Sequence, residues 1–461
     1  MDIEFGTDGW RTTVEEFTTP RIRAVGQAVA DYVREGSADP AVAVGYDPRE
    51  GSRDAAEELC RVLCVNGVDA HIPDRDTPTP VVAWTVLDRQ LDGALQVTAS
   101  HNPPEYNGIK FVPEDGAPAL PGVTDWLADN LRAPDSLPES EWGHIEESDF
   151  IEPYLDHALA FAGSDGRSAD CSGVTVAHDA MHGSGRGVTD ELLERAGAEV
   201  LRLRNDADPT FGGSPPEPSA ARLRNLETRV TDGEADLGVA NDGDSDRIGV
   251  VTPDRGYVDP NWLFVALYDY LLETDDGDAV RTVSTTFLVD RVAEAHGQSV
   301  RETPVGFKWV AEAMGEFDAL VGGEESGGFG VRGHLRNKDG VLVALLVAAA
   351  HAEEPLDDRL DRLRAEHGDI VQDRISVDCP DERKTAVLDE LDGSIPDSVA
   401  GTAVESVGTA DGFKLVLEDG SWLLVRPSGT EPKLRVYAEA GDRERVEELL
   451  ESGAELVEPL I

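Results

Sequence analysis

The sequence LDGALQVTASHNP at residues 91–103 joins a short apolar run to an unusual polar loop. The same arrangement recurs in ADLGVANDGDSDR at residues 235–247 and in FDALVGGEESGG at residues 317–328. In each of the three segments an Asp precedes a strand-like run, and this run leads directly into the polar residues. Ligands of open α/β sheets bind beyond the carboxyl ends of the strands. The segments therefore predict three similar α/β units that each direct one loop into a shared cleft.

Helix and strand patterns alternate through the first quarter of the chain. The dipeptide Thr19-Pro20 precedes an amphipathic helical pattern, which is followed by a strand at residues 41–45 and a helix at residues 52–65. The alternation continues to residue 98. It is typical of βαβ units and predicts a mainly parallel sheet.

The C-terminal part of the chain has a different pattern. Two strand-like segments at residues 413–417 and 422–425 flank the turn EDGS, which predicts an antiparallel pair. The predicted fold class is therefore α/β, with three similar α/β domains containing mixed, mainly parallel sheets and a smaller α+β C-terminal domain around a central cleft. The predicted domains comprise residues 1–140, 150–251, 252–367 and 370–461.

The composition excludes several classes of protein. The chain has 461 residues, 40% of them hydrophobic, and a formal net charge of −52. This charge excludes nucleic-acid binding through a general basic surface, and no apolar run approaches the ~18 residues of a membrane span. The first residues show no secretory signal, and the four Cys show neither zinc spacing nor a disulfide framework. We therefore expect a cytoplasmic monomer or homodimer that binds neither nucleic acid nor membranes.

The negative charge also predicts a dependence on salt. Asp and Glu are spread along the chain, and six Lys occur beside 34 Arg, which we interpret as the composition of a cytosolic protein from an extreme halophile. At low ionic strength the like charges repel one another, whereas near 1 M salt the Debye length falls to about 3 Å. We expect circular dichroism to show unfolding when the salt is diluted without Mg²⁺ or ligand. A cooperative melt that does not depend on salt would contradict this interpretation.

Three Asp residues alternate in the second polar loop. Asp242, Asp244 and Asp246 offer hard carboxylate oxygens, the ligands that Mg²⁺ and Ca²⁺ prefer. The loop is not an EF-hand, because Pro253 occupies the position of the required Glu. A chance cluster is the alternative in so acidic a chain, but the position after a strand and the neighbouring Arg247 favour a site for metal and phosphate.

Positively charged residues are concentrated near the predicted loops. Ser100 and His101 lie in the first loop, and Lys110 follows it closely. The GxSxG motif of α/β-hydrolases is absent, and a simple turn role for Ser100 is the alternative. The cations expected in the cleft are Lys110, Lys308, Lys433, Arg11, Arg247, Arg426 and Arg435. The ligand should therefore be an anion.

Two further motifs point to different ligands. RPSGT at residues 426–430 offers a guanidinium, two hydroxyls and accessible backbone N–H groups, which suit a phosphate, although a tight turn is the alternative. GFGVRG at residues 328–333 matches the GxGxxG pattern of dinucleotide-binding proteins. We discount this second match because no helix is expected to begin before about residue 340.

Taken together, the motifs resemble those of the α-D-phosphohexomutase family, the phosphoglucomutases and phosphomannomutases. The resemblance rests, in this order, on TASHNP with NGIK at residues 98–110, DGDSDR at 242–247, GEESG at 323–327 and RPSGTEP at 426–432. GTDGWR at residues 6–11 and TPVGFK at residues 303–308 are also similar to family motifs. The match spans nearly the whole chain.

The resemblance implies roles for individual residues. Ser100 would be carried as phosphoserine, and Mg²⁺ would be held by a phosphoryl oxygen of this residue together with Asp242, Asp244 and Asp246. The residues expected to carry protons or stabilise phosphoryl charge are His101, Lys110, Arg11, Arg247 and Lys308. The residues expected to bind the sugar hydroxyls and the second phosphate are Glu324, Ser326, Arg426, Ser428, Gly429, Thr430 and Arg435.

The implied reaction is a reversible phosphoryl transfer between C1 and C6 of a hexose phosphate through a hexose 1,6-bisphosphate. The GEESGG loop most resembles the phosphoglucomutase form, so we expect glucose phosphate, with mannose or glucosamine phosphate as alternatives. Two alternative functions belong to other classes of protein. The first is an NAD-dependent oxidoreductase, which would bind its cofactor, and the second is a catalytically silent sugar-phosphate-binding protein. The silent protein should have lost Ser100 or an Asp of the second loop, and neither is lost.

Overall fold

The computed structural model describes residues 3, 6, 9–429 and 431–461. The described residues form four sheets that follow one another along the chain. We call the parts of the chain built around these sheets domains I to IV. None of the described helices is long and apolar enough to cross a membrane.

Domain I contains a six-stranded sheet in the order β1-β5-β4-β2-β3-β6. Strands β2, β3, β4 and β6 are parallel, whereas β5 and β1 are antiparallel to their neighbours. Its elements are β1 (Trp10–Thr13), α1 (Thr19–Gly36), β2 (Ala41–Tyr46), α2 (Ser52–Val65), β3 (Asp69–Ile72), α3 (Thr79–Arg89), β4 (Gly93–Val97), β5 (Tyr106–Pro113), α4 (Pro121–Asp129), a 3₁₀ turn (Glu139–Glu141) and β6 (Ile145–Glu147).

Domains II and III contain smaller sheets, in the orders β11-β10-β9-β7-β8 and β13-β12-β14-β15. The elements of domain II are α5 (Ile151–Ala162), β7 (Thr175–Asp179), α6 (Thr189–Arg195), β8 (Glu199–Leu203), a 3₁₀ turn (Phe211–Gly213), α7 (Arg224–Thr231), β9 (Leu237–Asn241), β10 (Ile248–Thr252) and β11 (Gly256–Val258). Those of domain III are α8 (Pro260–Leu272), β12 (Ala279–Thr282), α9 (Leu288–Ala295), β13 (Val300–Thr303), α10 (Phe307–Phe317), β14 (Val321–Gly323), β15 (Phe329–Val331), α11 (Gly340–Glu353) and α12 (Leu356–His367).

The same hairpin recurs in these three domains. In each, one strand pairs in parallel with the centre of the sheet and antiparallel with the strand that follows it; these strands are β4, β9 and β14. Each of the three leads into one of the polar loops that the sequence singles out. The predicted fold class is therefore confirmed, and the three loops lie at equivalent positions of three related sheets.

Domain IV is built from antiparallel strands. Its six-stranded sheet has the order β16-β21-β20-β19-β18-β17, and the described pairs are all antiparallel. Its elements are β16 (Val371–Asp378), α13 (Asp381–Asp392), β17 (Ser398–Val399), β18 (Thr402–Gly408), β19 (Phe413–Leu417), β20 (Trp422–Pro427), β21 (Lys433–Ala440), α14 (Arg443–Val457) and a 3₁₀ turn (Glu458–Leu460).

The hydrophobic core joins domains I to III more closely than domain IV. One cluster of buried side chains runs from α3 through domain II to helix α11, which is apolar from Gly340 to Ala350, and each buried Leu or Val there stabilises the fold by roughly 1.5–3 kcal/mol. Domain IV has a separate core. A smaller cluster joins it to domain III and contains Val283, Trp422, Leu424 and Tyr437, with Phe287 and Val305 packed against it.

Several local predictions differ from the structure. Strands β6 and β11 extend the first two sheets beyond residues 140 and 251, because each pairs with a neighbour in its own sheet. Arg426 and Pro427 belong to strand β20 rather than to a loop, since they pair with Arg435 and Leu434. The third strand begins at Val321, because α10 continues to Phe317. The exact limits of the domains stay a prediction.

The GxGxxG match does not form a dinucleotide-binding turn. Its first residue, Gly328, directly precedes β15, and the others lie in and after this strand, which pairs antiparallel with β14; the next helix, α11, begins at Gly340. The glycines of a dinucleotide fingerprint instead follow a parallel strand and open a helix. The motif therefore gives no support to an oxidoreductase.

Candidate active site

The loop after β4 presents Ser100 in a strained and fully buried position. Ser100 has a φ of 51°, which is uncommon for a residue other than Gly, and its side chain has no solvent exposure. Its backbone N–H donates to Thr98 Oγ1 at 2.8 Å, and Thr98 in turn donates to Asp47 Oδ2 at 2.6 Å. These contacts fix the backbone conformation at Ser100.

A buried arginine binds the backbone carbonyl groups of this loop. Arg49 donates to the carbonyl oxygens of Ser100 (2.5 Å), Asn102 (2.7 Å), Pro103 (2.7 Å) and Tyr106 (3.0 Å). Its Nε pairs with a buried carboxylate at 3.0 Å, which balances the charge of the guanidinium. These bonds hold the backbone of the loop in place. A reactive side chain on the loop needs such a fixed position.

The second polar loop brings three carboxylates together. Asp242, Asp244 and Asp246 each offer one oxygen, and these three oxygens lie within 4.8 Å of one another. All three residues are buried. Among the described residues, Oδ1 of Asp244 and Oδ1 of Asp246 are buried without a hydrogen-bond partner. The loop therefore holds unsatisfied hard oxygen ligands, which suit a divalent cation.

The electrostatics of the cluster support the same conclusion. Burial and the charges of Asp244 and Asp246 raise the pKa of Asp242 well above its usual range. Burial would also raise the pKa of Asp244, but the ammonium of Lys110 lowers it overall. Three buried carboxylates thus repel one another, and a cation would relieve the repulsion.

Two lysines from other domains reach these carboxylates. Lys110 of β5 contacts Asp244 Oδ2 at 2.8 Å and Asp246 Oδ2 at 2.9 Å. Lys338, which precedes α11 in domain III, contacts the same oxygen of Asp246 at 2.9 Å. The Asp cluster therefore contacts all three of domains I, II and III.

The serine and the Asp cluster are in direct contact. Ser100 donates its hydroxyl to Asp242 Oδ2 at 2.7 Å, and its Oγ lies 3.3 Å from Nδ1 of His101. The positive charge of Arg247, together with burial and Arg11, lowers the pKa of His101 well below its usual value. The lowered pKa favours the neutral imidazole, which has a lone pair that can accept a proton.

The predicted cations Arg11, Arg247 and Lys308 have different neighbours. Arg11 donates to Asn102 Oδ1 at 3.0 Å, so it lies beside the serine loop. The backbone N–H of Arg247 donates to Asp242 Oδ1 at 3.1 Å. Lys308 lies at the start of α10, 5.5 Å from the ring centroid of Trp309, and lines a groove of about 620 Å³ between domains I and III. Its role at the phosphoryl group stays a prediction.

The third loop is attached to the second. The N–H of Ile248 donates to the carbonyl of Gly327 at 3.0 Å, and a Cβ at Gly327 would lie 2.6 Å from the Ile248 oxygen, so only Gly fits there. Glu324 accepts from the N–H of Gly306 at 3.0 Å, and burial raises its pKa to about 7. Ser326 is half-buried in the same loop.

Glu325 points into a different environment from Glu324. Its carboxylate accepts hydrogen bonds from the hydroxyls of Ser284 (2.8 Å), Thr282 (3.3 Å) and Thr285 (3.4 Å). These residues end β12 and follow it. The carboxylate of Glu325 therefore anchors the third loop to the end of β12.

The fourth loop joins β20 to β21 in domain IV. Arg426 is buried and its Nε donates to Asp411 Oδ2 at 2.8 Å, while the hydroxyl of Ser428 is buried without a partner among the described residues. Gly429 is exposed, and Arg435 pairs with Glu431 at 3.1 Å. The predicted site residue Thr430 lies outside the described residues. A partly unsatisfied cationic loop of this kind suits a phosphate.

Sequence reasoning missed Arg49, Lys338 and Asp411. Lys338 is one of only six lysines, so its retention in a lysine-poor chain was a usable signal. Arg and Asp are abundant in this sequence, so residue type alone does not single out Arg49 or Asp411. Arg49 contacts the serine loop from 51 positions away, and Asp411 contacts Arg426 from 15 positions away. No local sequence pattern indicates these contacts.

Comparison with known proteins extends these observations. The family models of phosphoglucomutase/phosphomannomutase match along the chain: alpha/beta/alpha domain I at residues 2–137, domain II at 152–256, domain III at 259–367 and the C-terminal domain at 375–456. Together they cover most of the sequence and follow the order of the four sheets.

Individual relatives agree with the family models. A "Probable phosphoglucosamine mutase" of Methanopyrus kandleri is 32% identical over 461 residues, covering 99% of this chain and 98% of that protein. A "Phosphoglucomutase/phosphomannomutase" of Thermococcus kodakarensis is 30% identical, covering 98% of each. A crystal structure of a protein from Thermus thermophilus, assigned to the phosphomannomutases, has a TM-score of 0.86 and 31% identity over 99% of each chain. This chain therefore belongs to the phosphoglucomutase/phosphomannomutase family and is a phosphohexomutase.

Proposed function

We propose that the protein interconverts glucose 1-phosphate and glucose 6-phosphate through phosphorylated Ser100. The observation that carries the proposal is the 2.7 Å hydrogen bond from the Ser100 hydroxyl to Asp242, within a buried cluster of three carboxylates. A serine with this contact lies where a metal-assisted phosphoryl transfer requires its nucleophile. Among the described residues, no other serine combines this contact with a neighbouring histidine and the family motif.

The residues present fit Mg²⁺. We infer that Asp242, Asp244 and Asp246 hold the ion, because two of their oxygens are buried without partners among the described residues and the cluster is crowded with negative charge. When bound, Mg²⁺ would offset the charge of the phosphoryl group during transfer. Lys110 and Lys338 keep these carboxylates in place through their ion pairs.

The chain's own residues account for both halves of the reaction. In the first half, the bond from phosphorus to Ser100 oxygen breaks and a bond to a sugar hydroxyl oxygen forms, giving hexose 1,6-bisphosphate. The hydroxyl proton passes to His101, because Lys110 pairs as an ammonium with Asp244 and Asp246, and the departing Ser100 oxygen takes a proton from Lys110. In the second half, the bond from the other phosphorus to the sugar oxygen breaks and a bond to the Ser100 oxygen forms. The Ser100 proton returns to Lys110, and the sugar oxygen takes the proton held by His101. The protein thus regains its phosphate, and the bisphosphate is the intermediate and activator.

The remaining loops bind the part of the substrate that does not react. We assign the sugar hydroxyls to Glu324 and Ser326. We assign the phosphate that is not transferred to Arg426, Ser428, Gly429, Thr430 and Arg435. Arg11, Arg247 and Lys308 would stabilise charge on the transferred group. Because the bisphosphate turns over between the two halves, each end of the sugar must meet the same residues.

The choice of glucose rests on the third loop. The Glu325 carboxylate already accepts three hydroxyl hydrogen bonds, so it is not available to pair with the ammonium of a glucosamine phosphate. We assign the remaining Glu324 and Ser326 to neutral sugar hydroxyls. Glucosamine phosphate is the second candidate, because relatives of 30–32% identity carry that name.

A competition between three substrates tests this choice. The purified protein is assayed in high salt with Mg²⁺ and one bisphosphate activator, using the 1-phosphates of glucose, mannose and glucosamine. A single hydrogen bond is worth about 0.5–1.5 kcal/mol, or roughly a 2- to 13-fold preference, so we expect kcat/KM to favour glucose by about that factor. A ratio favouring glucosamine or mannose 1-phosphate would overturn the choice of sugar and leave the mutase mechanism standing.

A further inference from the structure

A single carboxylate oxygen bridges domains III and IV. Asp411 lies in the turn between β18 and β19, and its Oδ2 accepts from Nε of Arg426 at 2.8 Å. The same Oδ2 accepts from the backbone N–H of Val305 in domain III at 3.2 Å. The side chain of Asp411 is 18% exposed and that of Arg426 is 10% exposed, so water weakens these bonds little. Asp411 therefore links the arginine of the fourth loop to a different domain.

The segment of domain III that Asp411 contacts also holds the third loop. Gly306, the residue after Val305, donates its N–H to Glu324 Oε1 at 3.0 Å. Val305 itself packs against the interdomain cluster that contains Trp422 and Leu424. A short series of contacts thus runs from Arg426 through Asp411 and the backbone of residues 305–306 to Glu324.

The turn that carries Asp411 is folded closely against Arg426. Gly412 has a φ of 84°, and a Cβ at this position would lie 2.8 Å from Arg426 Cα and still closer to the Val425 oxygen. Only glycine permits this approach. The contact between Asp411 and Arg426 is therefore built into the backbone of domain IV and does not depend on a flexible side chain alone.

The contact leaves part of the guanidinium for a ligand. Asp411 takes Nε, and neither Nη atom of Arg426 makes a hydrogen bond to a residue in the described part of the chain. Fixing Nε restricts the rotation of the planar guanidinium. Its two Nη groups can then form a bidentate pair with a phosphate.

We propose that Asp411 is a positioning residue that orients Arg426 toward the phosphate that is not transferred. Asp411 also contacts Val305, and the next residue, Gly306, binds Glu324 of the third loop. Binding of this phosphate therefore depends on how domain IV packs against the segment that holds the third loop. The inference rests on the proposed function in one respect, because it requires Arg426 to bind the substrate phosphate.

A double-mutant cycle tests whether Asp411 acts through Arg426. The Kd of glucose 6-phosphate is measured by calorimetry, at constant high salt, for the unmodified protein, Asp411→Ala, Arg426→Ala and the double variant. We expect each single change to raise the Kd about 10-fold or more, and Asp411→Ala to add less than about 2-fold once Arg426 is absent. Additive effects, or an unchanged Kd in Asp411→Ala, would overturn the proposal.

Kinetics and a conservative variant separate positioning from a general loss of structure. We expect Asp411→Ala to raise KM about 10-fold while kcat stays within about 3-fold, because the second phosphate is held equally in ground and transition states. Asp411→Asn should restore part of the affinity, since its amide oxygen still accepts from Arg426 and Val305. If Asp411→Ala does not fold, the cycle is run with Asp411→Leu, which has a similar size and no acceptor, and an unchanged Kd there would also overturn the proposal.

Asp419→Ala is the matched control. Asp419 pairs with Arg445 at 3.1 Å within domain IV, and the side chain of Arg445 is 16% exposed, close to that of Arg426. This change should leave the Kd and KM as they are, and an equal rise in KM would show that any lost ion pair in domain IV has the same effect. Binding without turnover in the unmodified protein would refute the proposed function alone. No binding of glucose 6-phosphate at all would overturn both.

Discussion

Ser100→Ala should lower mutase activity by at least ~10⁴-fold while leaving the protein folded. The substitution removes the oxygen that contacts both Asp242 and His101, so the phosphoryl group loses its carrier within the cluster. Losses of this size are typical when a covalent nucleophile is deleted. The measurement is a coupled assay with glucose 1-phosphate, in high salt with Mg²⁺ and a bisphosphate activator.

Ser421→Ala controls for the loss of a buried serine. Ser421 also donates its hydroxyl to a carboxylate, that of Asp419 at 2.5 Å, but it lies in the turn between β19 and β20. We expect full activity in this variant. Undiminished activity in Ser100→Ala would mean that another residue carries the phosphoryl group.

Asp244→Asn should lower activity by about 10³-fold or more and weaken Mg²⁺ binding. The change removes one of the three carboxylates of the cluster. It also removes the negative charge that pairs with Lys110. The protein should stay folded, because the amide still accepts the hydrogen bond from Thr79, which lies 2.6 Å from Asp244 Oδ2. Calorimetric titration with Mg²⁺ gives a readout that does not depend on turnover.

Asp179→Asn is the corresponding control for a buried carboxylate. Asp179 pairs with Arg204 at 2.6 Å in domain II and is almost as buried as Asp244. It should lose stability without a change in its affinity for Mg²⁺. Removing the metal from the unmodified protein with EDTA should abolish turnover, and full activity after EDTA would show that the three aspartates have another purpose.

Much of the site was predictable because its chemistry is local in the sequence. The serine loop and the Asp cluster each follow a short strand directly, so their side chains reach the same edge of related sheets. The alternation of Asp242, Asp244 and Asp246 within five residues is itself a ligand pattern. The contact between Ser100 and Asp242 follows once the two sheets are adjacent.

The parts that were not predictable depend on contacts between distant segments. Arg49 holds the serine loop from 51 positions away, and Lys338 reaches Asp246 from another domain. Strand β20 includes Arg426 because of its pairing with Arg435, whereas Pro427 and the following Ser and Gly suggested a loop. Cross-strand pairing and interdomain ion pairs leave no periodic signal in the chain.

The most direct measurement follows the phosphoryl group itself. Dephosphorylated protein is mixed with glucose 1,6-bisphosphate and analysed by intact mass and peptide mapping, and glucose 6-phosphate is then added. We predict one phosphoryl group on Ser100, which returns to the sugar as glucose 1,6-bisphosphate in the second step. Phosphate on a different residue, or turnover of substrate by protein that never carries phosphate on Ser100, would contradict the proposed mechanism.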